Sequence, residues 1–354
     1  MTNRITSIDC FRGATVALMI LVNTPGSWEA VYAPLAHATW HGFTPTDLVF
    51  PFFLFVMGTT MAQVLPRKIT QPKWQWQIFK RSMALFLVGI GLNIFPFVVQ
   101  DWNWSSIRIM GVLQRIALCY LLCTPFCLVR RTWRLGFCTA TLLLYWTCLI
   151  VFGGEQPYDQ AHNAVRQLDL LVLGSDHLWM GRGIPFDPEG LLSTWPAMVT
   201  VLLGYESDSL RKTPQKLALA GCFLAILGLL WHPWFPINKQ LWTSSYVLLS
   251  AGLGCLVLAF LEWTESRGLR AVFTPFGQNP LFLYVVSIMW IKILLKTSYV
   301  LEGQPINGYA YLFETVFEPL CAPQLASLVF ALTHVAVFWL MARYMSRNAL
   351  FVRL

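Results

Sequence analysis

The chain has 354 residues, 56% of them hydrophobic and 12% charged, with a mean hydropathy of +0.57. Soluble domains carry about a quarter charged residues, so this balance excludes a soluble globular protein and points to an integral membrane protein. The net charge of +8 would suggest nucleic acid in a soluble chain, but here the cations fall between apolar segments, where they set topology; no nucleic acid is expected as a partner.

Apolar runs long enough to cross a ~30 Å hydrocarbon core lie near residues 8–24, 46–65, 78–99, 107–129, 133–152, 190–205, 215–231, 243–263, 279–298 and 324–343. The first reads as an uncleaved span, because no small-residue cleavage site follows it. Arg67, Lys68 and Lys73 follow span two, Arg130, Arg131 and Arg134 span four, Arg211, Lys212 and Lys216 span six, and Arg267 and Arg270 span eight. With Arg343, Arg347 and Arg353 near the C-terminus, the positive-inside rule predicts both termini cytoplasmic. The expected fold is an all-α, polytopic membrane helix bundle of about ten transmembrane helices. It forms a single domain over 1–354 in the lipid bilayer, and a homo-oligomer is compatible with it. The nine cysteines, Cys10, Cys119, Cys123, Cys127, Cys138, Cys148, Cys222, Cys255 and Cys321, show no metal-ligand spacing, and no disulfide framework is expected.

Along the chain, Arg12, Lys80 and Arg81 sit near the cytoplasmic ends of spans. They set topology, meet anionic lipid, or hold the phosphates of a nucleotide cofactor. On the opposite side Asn23 ends span one, His37 and His41 follow in the loop, and Asp47 opens span two. An imidazole can take a proton or attack a carbonyl. A carboxylate can fix its tautomer and an amide can stabilise an oxyanion, so these residues form a candidate acyl-transfer set. The alternative stays open that they are interfacial polar groups, with Thr44, Thr46 or Asp47 a helix N-cap. The HxxxH spacing of His37 and His41 lacks the glutamate of HExxH and any third ligand, so no metal is expected. Trp40 and Trp179, beside the histidines, are candidate sugar-stacking platforms. Arg108 and Arg115, seven apart in span four, are expected to share a helix face, with Arg115 about 12 Å below Ile107. They either line a polar channel or pair with a carboxylate such as Asp47. The loop 153–189 is the longest and most polar, and is expected to be structured and to cap the first loop. Its Asn163, Asp169, His177, Asp187 and Glu189, together with His41, Trp40 and Arg115, are the candidate substrate-binding residues. His334 and Lys292 are explained by a bundle-facing hydrogen bond and by snorkelling.

The segments "SIDCFRGATVALMILVN", "HATWHGFTPTDLVFPFFLFVMG", "RIMGVLQRIALCY", "DPEGLLSTWPAMVTVLLG" and "FGQNPLFLYV" resemble, in that order, the heparan-alpha-glucosaminide N-acetyltransferase family, part of a transmembrane acyltransferase superfamily. The resemblance implies an acetyl-CoA-dependent enzyme that moves an acetyl group from cytosolic acetyl-CoA to an amino sugar on the other face. It puts His37 at the catalytic histidine of the "HAxW" motif and Asn23 at a polar residue of the active site. His41 stands where the lysosomal member carries asparagine. "NAVRQLDLLVLGSDHLW" resembles the bacterial branch, which implies a bacterial inner membrane and a small glucosamine-type acceptor on the periplasmic side. The rival readings are a sugar or small-molecule transporter, and an O-acyltransferase of envelope glycans.

Overall fold

Hydrocarbon offers a backbone no hydrogen-bond partner but its own, so the apolar runs must fold as helices. The computed structural model describes residues 6–96, 104–264 and 266–352. Its first five helices are α1 (Thr6–Asn23), α2 (Val49–Lys68), α3 (Trp74–Ile94), α4 (Val112–Leu128) and α5 (Arg131–Phe152). A short helix, α6 (Ala164–Leu173), precedes α7 (Leu191–Ser207), α8 (Pro214–Trp231), α9 (Ser244–Thr264), α10 (Arg267–Gln278) and α11 (Pro280–Lys296). Strands β1 (Ser298–Leu301) and β2 (Gln304–Asn307), then α12 (Gly308–Leu312) and α13 (Pro323–Arg347), complete the chain. A helix stands at each of the ten predicted spans. By length and composition six described helices can cross a membrane, and the α10–α11 pair, bent by 74°, would make a seventh. The chain is a multi-pass, all-α membrane bundle. The end of the third predicted span, 97–99, and Arg353 lie outside the described residues.

Local structure departs from the hydropathy reading. The segment 266–278, read as a cytoplasmic loop, is helical: Ser266 caps it by accepting a hydrogen bond from the Leu269 amide. The helix breaks at Asn279, because the residue before a proline disfavours the helical region and Pro280 opens α11. The Asn279 side chain there donates to the Leu350 carbonyl (3.0 Å) and accepts from the Val352 amide (2.9 Å). An antiparallel hairpin pairs Ser298 with Asn307 and Leu301 with Gln304. Its two turn residues, Glu302 and Gly303, both have positive φ (49° and 78°), the conformation tight hairpins demand.

Span four begins later than its hydropathy suggested. Residues 107–111 are not helical, and there the Ile109 amide bonds the His177 carbonyl (3.2 Å). Arg108 therefore precedes α4, and Arg115 sits in its first turn; they do not share a helix face.

The packing that fixes the centre of the bundle is α2 against α7. A Cβ on Gly58 would lie 1.9 Å from the Val201 carbonyl oxygen, and one on Gly204 would lie 2.1 Å from that of Phe55. Backbones this close admit no side chain. Overpacking typically costs 1–3 kcal/mol, so Gly58→Ala and Gly204→Ala should each lower the melting temperature in detergent. Gly91→Ala, with open space around it, should not.

Candidate functional site

Between α1 and α2 the chain forms a loop whose fold is dictated by one carboxylate. Asp47 is 1% exposed, and a buried charge must be hydrogen-bonded and paired. Its Oδ2 accepts from the backbone amides of Ala38 (3.0 Å) and Thr44 (3.1 Å), and the Thr44 hydroxyl beside it donates to the Ala36 carbonyl (2.7 Å). Its Oδ1 lies 2.7 Å from His37 Nδ1 and 3.3 Å from Lys239 Nζ. An ionised carboxylate only accepts, so Nδ1 carries a hydrogen, and in the uncharged form of the ring the lone pair falls on Nε2. The His37 side chain is 37% exposed, so the ring is not sealed inside the protein. Thr44 is the N-cap of the short helical turn Pro45–Leu48 that leads into α2, and Asp47 is the third residue of its capping box, so Asp47 both closes that turn and partners the histidine.

Lys239 had no signal in the sequence, where it reads as one more loop cation. It belongs to the segment between α8 and α9, 192 residues from Asp47, and Nζ also lies 3.3 Å from His37 Nδ1. Burial pushes the ammonium below the ordinary lysine pKa, and Asp47 pulls it back up.

The other predicted site residues divide. Asn23 closes α1, and among the described residues no hydrogen bond joins it to His37 or Asp47. His41 points elsewhere, meeting Asn238 Nδ2 through Nδ1 (3.3 Å); burial and the neighbouring His232 lower its pKa. Trp40 donates its indole N–H to the Tyr158 carbonyl (2.7 Å) and sits edge-on to Phe186. Arg182 donates to the Thr39 carbonyl and stands over the Trp40 ring. The 153–189 loop thus lies against the His37 loop, as expected.

Within that loop most predicted substrate-binding groups hold the protein to itself. Asn163 caps α6, accepting from the Arg166 amide (2.9 Å). His177 Nδ1 bonds the Ile107 carbonyl (2.7 Å). Arg108 makes two parallel bonds to Asp187 (2.8 Å each) and a third to Glu189 (2.6 Å), the bidentate geometry of a strong ion pair. Arg115 is fully buried and bonds the Gly190 carbonyl (3.1 Å) and the Ser193 hydroxyl. Its guanidinium lies over Trp242, 5.0 Å from the ring centroid. Among the described residues no carboxylate pairs with it, so of the two readings left open the pairing with a carboxylate such as Asp47 does not hold; that anion is taken by His37 and Lys239. Asp169 accepts from the Leu191 amide at the start of α7 (2.8 Å) through Oδ1, while its buried Oδ2 has no partner.

The predicted cofactor cations are not gathered by any described hydrogen bond or ion pair. Arg12 binds Asp9 (2.9 Å), the Gly277 carbonyl and Thr60, linking α1 to α2 and α10. Arg81 stands 5.4 Å from the Tyr120 ring centroid, and Lys80 is exposed. His334 bonds the Phe330 carbonyl (3.0 Å) inside the bundle. Lys292 donates to the Leu92 and Phe95 carbonyls, capping the C-terminal end of α3. Among the described residues no group of three His, Cys, Asp or Glu is placed to hold a metal.

Residues 4–164 match the family described as "Heparan-alpha-glucosaminide N-acetyltransferase, catalytic". The chain is 27% identical over 352 residues to the mouse (Mus musculus) heparan-alpha-glucosaminide N-acetyltransferase, an alignment covering 80% of this chain and 53% of the mouse protein. It is 29% identical over 350 residues to the human (Homo sapiens) one, covering 80% and 52%. The chain spans about half the length of these curated relatives. The resemblance read from the ordered motifs is borne out, and the match over 4–164 contains Asn23, His37 and Asp47.

Asp169 yields a test of the clasp between α6 and α7. Burial raises its pKa to about 7, with Asp187 adding to the rise and the Leu191 amide and Arg115 opposing it. A carboxyl with a raised folded-state pKa costs nothing when protonated in both states, below its unfolded pKa near 4. The cost grows as pH rises and is complete above about 7. Asp169→Asn should therefore raise the melting temperature more at pH 8 than at pH 4.5. An equal shift at both would contradict the buried, uncompensated carboxylate.

Proposed function

We propose that this chain is a transmembrane N-acetyltransferase, moving an acetyl group from cytosolic acetyl-CoA to the amine of a glucosamine-type sugar at the opposite, periplasmic face of a bacterial inner membrane. The observation that carries the reading is the His37–Asp47 pair: a buried carboxylate fixes Nδ1–H and leaves Nε2 as the basic nitrogen of the uncharged ring. The two relatives are named for N-acetylation of a glucosaminide, and this chemistry needs a base at the acceptor nitrogen. The alternation of basic loops supports a topology with both termini inside and the His37 loop outside.

The step follows from these groups. The acceptor amine attacks the thioester carbonyl while His37 Nε2 removes its proton. The C–N bond forms, the C–S bond breaks, and the CoA sulfur departs with the electron pair and is protonated in turn. Asp47 stabilises the imidazolium formed on the way, as a carboxylate behind a catalytic histidine does. Asn23, at the outer end of α1, is the proposed donor to the carbonyl oxygen as it becomes negative. The 153–189 loop, clamped by Arg108 and held on the Trp40 segment, roofs this end of the bundle and limits water near the thioester. Its polar residues shape the roof, while His37 meets the acceptor.

Purified protein given acetyl-CoA and glucosamine should release free CoA in an acceptor-dependent way, and mass spectrometry of the product should show an amide. His37→Ala should lower that rate by about 100-fold or more with an unchanged melting temperature, since the ring is part-exposed in a loop. Near-normal turnover would remove His37 from the mechanism. An ester product would move the protein to the O-acyltransferases.

A further inference from the structure

We propose that Lys239 is a positioning residue of this site: a fixed cation that balances the Asp47 carboxylate, so that the His37 imidazole stays uncharged until it takes a proton from the acceptor. The inference rests on the reading of His37 as the base.

Asp47 does not need Lys239 to be oriented. Oδ2 already accepts from two backbone amides, those of Ala38 and Thr44, while the Thr44 hydroxyl gives its one hydrogen to the Ala36 carbonyl (2.7 Å). What Lys239 supplies is charge. With the ammonium 3.3 Å from Oδ1 and 3.3 Å from His37 Nδ1, carboxylate and ammonium sum to zero beside the ring. Without it, a buried anion would stand 2.7 Å from Nδ1, and among the described residues no other cation forms an ion pair with it. An opposite charge that close favours the protonated ring, and a protonated imidazole cannot act as a base.

The lysine is held from both sides of its own backbone. Asn238 Oδ1 accepts from the Leu241 amide (2.8 Å), and the Asn238 amide donates to Thr243 Oγ1 (3.0 Å). The Lys239 carbonyl accepts from the Trp242 amide (3.1 Å), and the Ile237 carbonyl accepts from Gly42 in the histidine loop (2.7 Å). Trp242 adopts the left-handed φ of 54° and is 1% exposed. This turn aims one side chain into the His37 loop. The other charged or titratable groups bearing on the pair are Arg182, attracted to Asp47, Glu189, attracted to Lys239, and His41 with His232 on the flank. None of them touches Oδ1.

A merely structural ion pair would affect stability alone, so the test reads protonation. In Lys239→Met and Lys239→Gln the low-pH limb of kcat/KM should move to higher pH by about one unit or more, and in Lys239→Arg it should stay near the wild-type position. Independently of any acetyl transfer, diethyl pyrocarbonate modifies only uncharged imidazole. The pH midpoint for its reaction with His37, followed by peptide mass spectrometry without acetyl-CoA, should rise in the same two variants. A midpoint unmoved or lowered in either folded variant overturns the proposal. Absence of acetyl transfer in the wild-type protein would overturn the proposed function instead, and the modification experiment would still decide the role of Lys239.

Discussion

The end of this bundle that carries the His37 loop is organised by the requirement that the Asp47 charge be satisfied away from water. A carboxylate buried to this degree is tolerable only with several donors and a compensating cation. The protein meets the demand with groups from two distant parts of the chain. Two amides and the His37 imidazole come from the loop just before α2, and an ammonium comes from the turn before α9. The Tyr246 hydroxyl on α9 bonds the Asp47 backbone carbonyl (2.6 Å), so α9 is attached to the same residue twice over. The shape of the His37 loop, the contact between α2 and α9, and the direction of the imidazole all follow from how one anion is solvated.

The same economy explains the long loop. Its charged residues looked like a binding surface because polar groups in a membrane protein are costly and usually functional. Here they face one another: Arg108 with Asp187 and Glu189, Asn163 with the start of α6, His177 with the segment before α4. Arg166 donates to the Pro185 and Ala161 carbonyls and closes the loop on itself. Outside the bundle this segment has little apolar surface to bury, so ion pairs and caps take the place of a core. The aromatic cluster of Tyr145, Trp146, Tyr158, Phe186 and Phe235 fastens the result to α5 and to the turn that carries Lys239.

Much of the fold was legible because hydrocarbon imposes a simple rule on sequence. Runs of apolar residues became helices at the expected places. What the rule misses is structure that never crosses the membrane. The cap at Ser266, the Asn163 cap in "HNAVRQ" and the Glu302–Gly303 turn are local signals that hydropathy averages away. At the site, His37 and Asp47 were legible together because they are ten residues apart. Lys239 was not, since nothing in a single chain links a loop cation to an aspartate nearly two hundred residues earlier. Arg115 was misplaced for a related reason: apolarity continues through 107–111, but the backbone there pairs with the His177 segment instead of forming helix.

The central claim is that acetyl groups leave a donor on one face and appear on an acceptor at the other. Proteoliposomes with the protein in one orientation, labelled acetyl-CoA on the face of the basic loops and glucosamine on the His37 face, measure this directly. The account predicts labelled N-acetylglucosamine in the glucosamine compartment while acetyl-CoA stays confined to its own. No product under these conditions, or product only when donor and acceptor share a compartment, would contradict it.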